Sequence, residues 1–286
     1  MPFPLITRYG CLFLLLAAGG CNMLKSDRPS LKEYDLNKPE KFQMPGTLLE
    51  ISGIAFNKGN PDTVYAIQDE QGKLFKLKWG VKKQYHTKFD KNGDYEDLAI
   101  LDNQVIVLKS NGHLYSFPLP DSMSEETAGL REWKGLLPEG EYESIWADEA
   151  SGQVYVLCKN CPAADSKISV PGYRLQFTAG ELTASGGFSI NVSQIRDIDG
   201  KVKRGFRPSA LAKNPVTGEW FIISAVNQLL VTADSSWKVT NVYHLDGNRF
   251  NQPEGLAFDA KGNMYISNEG DHLSEGNILK FDRKQK

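Results

Sequence analysis

Short apolar runs separated by turn residues dominate the chain from about residue 34 onward. The runs are rich in Val, Ile, Tyr and Phe and are split by turn sequences such as "KGN", "NG" and "GE". This pattern is typical of β-strands joined by tight turns. Almost no segment keeps an apolar period of 3.6 residues, so we expect helices to be a minor part of the fold.

One sequence unit recurs five times along the chain. It begins with a small or acidic residue, a small residue and two apolar residues, and a second apolar run follows after a turn. A third run follows in each unit, and several units show a fourth. The matched positions are spaced by 44, 47, 65 and 46 residues. The five starts are "ISGIAF" (51–56), "YEDLAI" (95–100), "YESIWA" (142–147), "RPSALA" (207–212) and "PEGLAF" (253–258).

Four-stranded units that recur about every 45 residues predict an all-β fold, the β-propeller. A β-sandwich is the alternative, and the constant order of strand types in five units argues against it. The last unit lacks a fourth strand, which the run "YDLNKPEKFQM" at 34–44 is placed to supply, closing the ring. We predict five four-stranded blades over residues 34–286, with six as the alternative if the 65-residue interval holds another blade.

The N-terminal residues predict an exported protein. The segment "MPFPLITRYGCLFLLLAAGGC" has one positive charge, a short apolar run and small residues before Cys21. The apolar run is too short to span a bilayer as a helix, and the pattern is typical of a secretory signal. The residues before Cys21 resemble the lipobox of bacterial lipoproteins. We therefore predict a signal peptide at 1–20, lipidation of Cys21 and a polar tether at 21–33, with simple secretion as the alternative.

Charge and cysteine usage narrow the function classes. The net charge is −2 and no basic stripe is present, which argues against a nucleic-acid surface. In an oxidising compartment, Cys158 and Cys161 of "CKNC" are expected to form a local disulfide or to remain two unpaired thiols. A zinc site would need a second pair of this kind, and a thioredoxin-like redox motif would need a βαβ context. The sequence shows neither.

Acidic residues occupy the strand tips that a propeller brings together. The first strand of each blade lines the central channel and begins at one mouth, where the second strand ends. Glu96, Glu143 and Glu254 hold matched start positions, so we predict that they converge. The further residues expected at this mouth are Ser52, Asp69, Glu70, Asp97, Asn111, Ser144, Asn160, Ser209, Asn227, Asn268 and Glu269.

A ring of carboxylates predicts a bound cation. Like charges a few ångström apart repel strongly in a partly desolvated channel unless a cation, a basic group or shared protons accompany them. The candidate ligands are all oxygens, which favours calcium, with magnesium second. The alternative is a set of internal ion pairs between the glutamates and Lys109, Lys159 or Arg207.

Several phrases resemble the SdiA-regulated family of bacterial envelope propellers over roughly residues 46–286. They are "EISGIAF", "VYAIQDEQGKLFKL", "YEDLAI", "YESIW" and "PEGLAFDAKGNMYISNEG". A weaker similarity extends to NHL-repeat and gluconolactonase-like propellers. The resemblance implies a five-bladed propeller with a calcium site and carries the ligand positions onto Glu96, Glu143 and Glu254. The chain departs from the pattern at Lys159, where an acid is expected, and at Pro208-Ser209.

Two functions are compatible with these observations. No nucleophile or acid–base motif is evident, so we predict no catalytic residue and a lipid-anchored binding module of the bacterial envelope, facing the periplasm or the exterior. Its expected partner is an envelope protein, peptide or glycan. The alternative is a metal-dependent hydrolase of a lactone or phosphoester, in which an axial acid or histidine moves the proton.

Overall fold

A computed structural model describes Met1 and residues 31–81, 83–123, 126–200, 202 and 205–284. The predicted lipid site Cys21, the signal peptide beyond Met1 and the tether up to residue 30 lie outside the described residues. Within the described ranges, no helix is long and apolar enough to cross a membrane.

The described chain forms five antiparallel sheets of four strands each. Strands that are adjacent in sequence pair through turns, as the short apolar runs and turn residues predict. The first blade contains β2 (Ile51–Ala55), β3 (Val64–Gln68), β4 (Gln71–Leu77) and β5 (Tyr85–Asn92), and the second contains β6 (Tyr95–Leu101), β7 (Gln104–Lys109), β8 (Leu114–Pro118) and β9 (Arg131–Trp133). The third contains β10 (Glu141–Asp148), β11 (Gln153–Asn160), β12 (Ser169–Thr178) and β13 (Glu181–Asn191). The fourth contains β14 (Ala210–Lys213), β15 (Trp220–Ser224), β16 (Leu229–Ala233) and β17 (Val239–His244).

The fifth blade joins the two ends of the described chain. It contains β18 (Pro253–Phe258), β19 (Met264–Asn268), β20 (Asn277–Phe281) and, as its outermost strand, β1 (Glu40–Gln43). Strand β1 runs antiparallel to β20 and lies in register from Glu40 opposite Lys280 to Gln43 opposite Asn277. This closure confirms the prediction that residues 34–44 complete the last blade.

The hydrophobic core lies between the blades. The innermost strands β2, β6, β10, β14 and β18 neighbour one another around the axis. Five buried clusters fill the five gaps between adjacent blades, each containing side chains from both sheets. Because each blade buries its two faces against two neighbours, no blade has a complete core by itself, and the closed ring is the stable unit.

The long interval between the third and fourth repeats does not contain a sixth blade. Its additional residues extend β12 and β13 and form the helix α1 (Val192–Asp199). The side chain of Asn191 caps this helix by accepting a hydrogen bond from the backbone N–H of Ser193, and Gly200 ends it in a left-handed conformation with φ 55°. The prediction of five blades is therefore confirmed, as is the minor share of helix.

The segment before β1 packs against the propeller. Leu31 and Tyr34 are buried in the cluster between the fourth and fifth blades. The hydroxyl of Tyr34 donates to the carbonyl oxygen of Gly262 at 2.6 Å and accepts from the side-chain amide of Asn214 at 2.7 Å. Residues 31–33, expected in the tether, thus lie on the propeller, because Leu31 adds apolar surface to that cluster.

Candidate axial carboxylate site

The three predicted glutamates share one backbone feature, a β-bulge in the innermost strand. In β6, Tyr95 lies opposite Lys109 and Asp97 opposite Leu108, so Glu96 has no partner residue. The register skips Glu143 in β10 and Glu254 in β18 in the same way. A bulge re-aims the side chain of its unpaired residue. The fold therefore turns one glutamate from each of three blades out of its ladder at the start of the innermost strand.

A space of about 80 Å³, lined by residues with apolar side chains, lies among the innermost strands of the first, second, third and fifth blades. Ile54, Leu98, Ile145 and Leu256 are among its lining residues. Each of these residues lies two positions beyond the matched start position of its blade, which is a serine in the first blade and a glutamate in the other three. Burial desolvates a carboxylate, and desolvation favours its protonated form.

The pKa values of the axial acids respond to this burial. Burial raises the pKa of Glu96 to about 8, and the neighbouring carboxylate of Asp94 adds to the effect, whereas the ammonium of Lys159 opposes it. Burial also raises the pKa of Glu254 to about 7; Lys159 opposes the rise and Glu96 adds to it. Glutamates from two different blades therefore interact with each other and with one lysine.

Two acids from the ends of second strands belong to the same group. Burial raises the pKa of Glu269 to about 8, with Glu254 and Asp69 as the next causes. Burial raises the pKa of Asp69 to about 6, and Glu50 is its largest charged contributor. The side-chain amide of Gln252 donates a hydrogen bond to Glu269. The predicted convergence of Asp69 and Glu269 with Glu96 and Glu254 is thus present in the structure.

One cation stands among these acids. Lys159 forms an ion pair with Glu143, whose side chain is 10% exposed. The predicted ion-pair alternative therefore applies to Glu143. Lys109 instead lies over the ring of Tyr95, with its Nζ 5.0 Å from the ring centroid. Among the described residues, Glu96, Glu254 and Glu269 form no ion pair within 4.0 Å, so the carboxyl groups at this mouth outnumber the ammonium groups paired with them.

Several residues expected at the mouth connect the blades instead. Asp97 is buried, and its carboxylate accepts hydrogen bonds from the backbone N–H groups of Leu98 and Ile145. The hydroxyl of Ser209 donates to the carbonyl oxygen of Pro253 at 2.7 Å, across the fourth and fifth blades. The carbonyl oxygen of Ser52 accepts a hydrogen bond from the hydroxyl of Ser267.

Asn268 and Glu70 differ in burial at this mouth. Asn268 is fully buried and donates its side-chain amide to Asn277, while its Oδ1 atom has no partner among the described residues. Glu70 is exposed and acts on the group through its charge, since it contributes to the raised pKa of Asp69.

The structure adds residues that sequence reasoning missed. Asp94, Gln252 and Glu50 each contact the axial acids or change their pKa values. All three stand two positions before a matched repeat position, and side chains two apart in an extended segment face the same side. The same offset holds Glu141 in the third blade, whereas in the fourth it holds the apolar residue Phe206. A search of the repeats for polar residues at this offset would have found them.

A pocket of about 380 Å³ opens beside the acids between the second and third blades. Glu96, Glu143 and Lys159 line it together with Asp94, Ser110, Asn111, Gly140 and Glu141. In the conformation of the described residues, no group of three or more His, Cys, Asp or Glu side chains is arranged to hold a metal ion. A cation at this mouth would therefore require side-chain movement, and the ion pair of Lys159 with Glu143 is the contact to be broken.

Cys158 and Cys161 are joined as a disulfide next to this pocket, with their Cα atoms 6.0 Å apart. Both residues are buried, and Cys158 Sγ lies 3.3 Å from the carbonyl oxygen of Glu141. Lys159 is the residue that directly follows Cys158, so the bridge encloses the only cation of the acidic group within the described residues.

The chain matches the model of the SdiA-regulated family. The matched residues, 185–273, run from β13 through β19 and include Glu254 and Glu269 of the acidic group. The match confirms the resemblance that the sequence phrases indicate. A search among curated protein sequences found no match.

Solved structures similar to this chain share its fold at low sequence identity. Glutaminyl cyclase of Myxococcus xanthus has a TM-score of 0.55 and 13% identity, covering 86% of this chain and 96% of that one. Regucalcin of Agrobacterium tumefaciens, described as a calcium-binding protein, has a TM-score of 0.52 and 12% identity, covering 89% and 95%. Aldose sugar dehydrogenase of Streptomyces coelicolor, solved with bound PQQ, has a TM-score of 0.52 and 10% identity, covering 86% and 99%. At such identities the likeness shows the propeller fold and does not assign an activity.

Proposed function

We propose that this chain is a lipid-anchored propeller of the bacterial envelope that binds a hard divalent cation, calcium, at its axial mouth and acts as a binding module. One observation carries the proposal: three blades each place a glutamate on a β-bulge at the start of the innermost strand. Bulges at equivalent positions direct the carboxylates toward one site, where their combined charge attracts a cation.

The donor set fits a hard cation. Glu96, Glu143, Glu254, Asp69 and Glu269 offer carboxylate oxygens, the ligand type that calcium prefers. The Oδ1 atoms of Asp69 and Asn268 are buried and have no hydrogen-bond partner among the described residues, so acceptors remain free near this mouth. Magnesium demands stricter octahedral geometry, which side chains on separate blades meet less easily. The ion would favour the ionised forms of Glu96, Glu254 and Glu269, whose pKa values burial raises.

The partner and the location are part of the same proposal. The signal-like N-terminus and Cys21 support attachment to a membrane through lipid, and the fold supports a rigid platform whose loops face outward. A cation that pins the starts of several blades would order these loops for an envelope protein, peptide or glycan. No nucleic-acid partner is expected, since the net charge is −2.

Calorimetric titration of calcium into chelator-treated protein tests the cation site. A soluble form beginning at Asn22 retains every strand of the ring. We expect micromolar or tighter binding and a loss of at least about tenfold in affinity for Glu254→Gln, because one charged ligand disappears. Glu139→Gln is the matched control, since Glu139 is an exposed glutamate on the loop that leads into β10. Absence of binding in the unmodified protein, or equal weakening by both variants, would contradict the proposal.

A hydrolase is the second candidate, and the raised pKa of Glu254 favours it. A carboxyl group with a pKa of about 7 is suited to transfer protons at neutral pH. In this function Glu254 would act as the general base or acid beside the cation site. Turnover of a model lactone and a model phosphoester by calcium-loaded protein tests it. An observed rate that Glu254→Gln abolishes supports hydrolysis, whereas equal background rates in both proteins leave the binding module.

A further inference from the structure

We propose that Lys159 is the built-in counter-ion of the axial carboxylates and that the Cys158–Cys161 disulfide holds it in place. An external cation must therefore displace Lys159, so this residue sets the affinity of the site. This inference rests on the proposed cation site, and it names the residue of the chain that competes with the ion.

The backbone places Lys159 directly against Glu143. In the pairing of β10 with β11, Glu141 lies opposite Asn160 and Tyr142 opposite Cys158, so the register skips Lys159. It then skips Glu143 on the facing strand, because Ser144 lies opposite Leu157. Two neighbouring bulges thus release one lysine and one glutamate from the same ladder, and these two side chains form the ion pair.

The charge of Lys159 also affects glutamates of other blades. Lys159 and Glu96 of the second blade line the same pocket. The ammonium of Lys159 also opposes the effect of burial on the pKa of Glu96 and on that of Glu254 in the fifth blade. The positive charge of Lys159 therefore acts on glutamates of three blades. In the first and fifth blades the corresponding strand ends carry Asp69 and Glu269 instead. The third blade thus contributes a cation where two other blades contribute anions.

The disulfide restricts where Lys159 can go. It packs against the strand that carries Glu143: a Cβ atom added to Gly140 would lie 2.7 Å from Cys161 Sγ and 3.2 Å from Cys158 Sγ. Cys161 Sγ also lies 3.9 Å from the hydroxyl of Tyr142. The bridge thus packs against the start of β10, and its two cysteines lie on either side of Lys159 in the chain. Fixing the backbone there reduces the conformations in which the lysine leaves Glu143.

A cation and Lys159 compete for the same carboxylates. Pairing of Lys159 with these carboxylates therefore weakens binding of the ion, and a bound ion weakens the pairing by the same factor. Removing the lysine charge should therefore tighten calcium binding. Removing the disulfide should also tighten it, but only while the lysine is present. This dependence separates a clamp on Lys159 from a general effect of the bridge on the blade.

Calcium titration of the soluble form and four variants tests the inference. For Lys159→Gln we expect calcium affinity to rise by about tenfold. Lys109→Gln is the matched control, because Lys109 lies over the Tyr95 ring and not in an ion pair with the axial acids. We expect the Cys158→Ser/Cys161→Ser variant to bind more tightly than the unmodified protein and to show no further gain when combined with Lys159→Gln. Unchanged affinity in Lys159→Gln would overturn the inference while leaving the cation site standing.

A metal-free measurement keeps the inference testable if no calcium binds. Lysine acylation followed by mass spectrometry reports how well each amine is shielded. We expect Glu143→Gln and the double-serine variant each to speed acylation of Lys159 several-fold and to leave that of Lys109 unchanged. An unaltered Lys159 rate in both variants would overturn the inference. Absence of calcium binding in every protein, with the acylation result as expected, would instead remove the cation function and leave Lys159 as a permanent counter-ion.

Discussion

The carboxylate of Asp97 in the second blade accepts a hydrogen bond from the backbone N–H of Ile145 in the third blade, over 2.9 Å. A second hydrogen bond, from the N–H of Leu98, fixes its other oxygen. Burial raises the pKa of Asp97 well above its usual range. Asp97 stands next to Glu96 in the sequence, yet it faces into the ring and joins two innermost strands. Neighbouring acids therefore serve different purposes, one at the mouth and one between blades.

Replacing Asp97 by Ala should lower the free energy of unfolding by about 2–5 kcal/mol, because two buried N–H groups would lose their acceptor. Urea unfolding monitored by tryptophan fluorescence measures this. Asp62→Ala, at an exposed position before β3, serves as the control and should change stability by less than about 0.5 kcal/mol. A similar small change for both variants would show that Asp97 does not join the blades.

The propeller could be predicted from the sequence because each repeat corresponds to one blade, so the number of repeats gives the number of blades. Five strand starts with equal order, together with the missing fourth strand of the last unit, led to five blades and to closure by the segment that contains β1. The placement of Glu96, Glu143 and Glu254 followed from the same alignment. What the repeat could not supply is the backbone detail at each strand start. The bulges that release these glutamates depend on the pairing register, which is a property of two strands together.

The sequence also did not predict which of the residues at the mouth form hydrogen bonds between blades. Asp97 and Ser209 hold equivalent positions in the repeat, one residue after the position that Ser52 holds in its own unit. Oxygen type alone made all three candidate ligands. In the structure their oxygens take part in hydrogen bonds between blades. A polar atom can face the channel or the gap between two blades, and which of these it faces depends on the local backbone and on the contacts that the neighbouring blade offers. Neither is encoded in the spacing of residues along one chain.

Gly53 should tolerate no side chain. A Cβ atom at this position would lie 2.2 Å from Asp97 Oδ1 and 2.6 Å from Asp97 Cα, and the latter is a backbone atom that cannot rotate away. We expect Gly53→Ala to destabilise the fold by about 3 kcal/mol, since overpacking here separates the first two blades. The thermal unfolding midpoint measures the effect. Gly46→Ala, where no heavy atom lies within 4 Å, should leave the midpoint nearly unchanged; equal midpoints for both variants would contradict the close approach.

Tyr34 should stabilise the packing of the N-terminal segment against the last two blades. Its replacement by Phe keeps the ring but removes the hydroxyl that bonds Gly262 and the buried side chain of Asn214. We expect a loss of about 1–3 kcal/mol in the free energy of unfolding, because two buried polar groups lose a partner. Chemical denaturation is the measurement. Tyr85→Phe at a 55% exposed position is the control, and a loss no larger than that of the control would contradict this role.

The axial acids should make the calcium-free protein less stable as pH rises. The pKa of Glu96 and of Glu269 is about 8 and that of Glu254 about 7 in the folded protein, against an ordinary value of 4.5. Between pH 5 and 8 the folded state therefore binds more protons than the unfolded chain, so stability falls with rising pH in this window. Denaturation at pH 5 and at pH 8 in chelator measures the fall. The Glu254→Gln/Glu269→Gln variant should show a clearly smaller one, and an equal fall would assign the effect to other groups.

Calcium should counteract this pH dependence. An ion that binds the ionised carboxylates stabilises the folded state in proportion to its affinity, and protons compete for the same oxygens. Because Glu96, Glu254 and Glu269 hold protons up to about pH 7–8, the rise in the unfolding midpoint on addition of calcium should be larger at pH 8 than at pH 5. Differential scanning fluorimetry with calcium and with chelator at both pH values measures it. A calcium-dependent rise of equal size at pH 5 and pH 8 would place the ion at carboxylates other than the axial ones, whose raised pKa values require the difference.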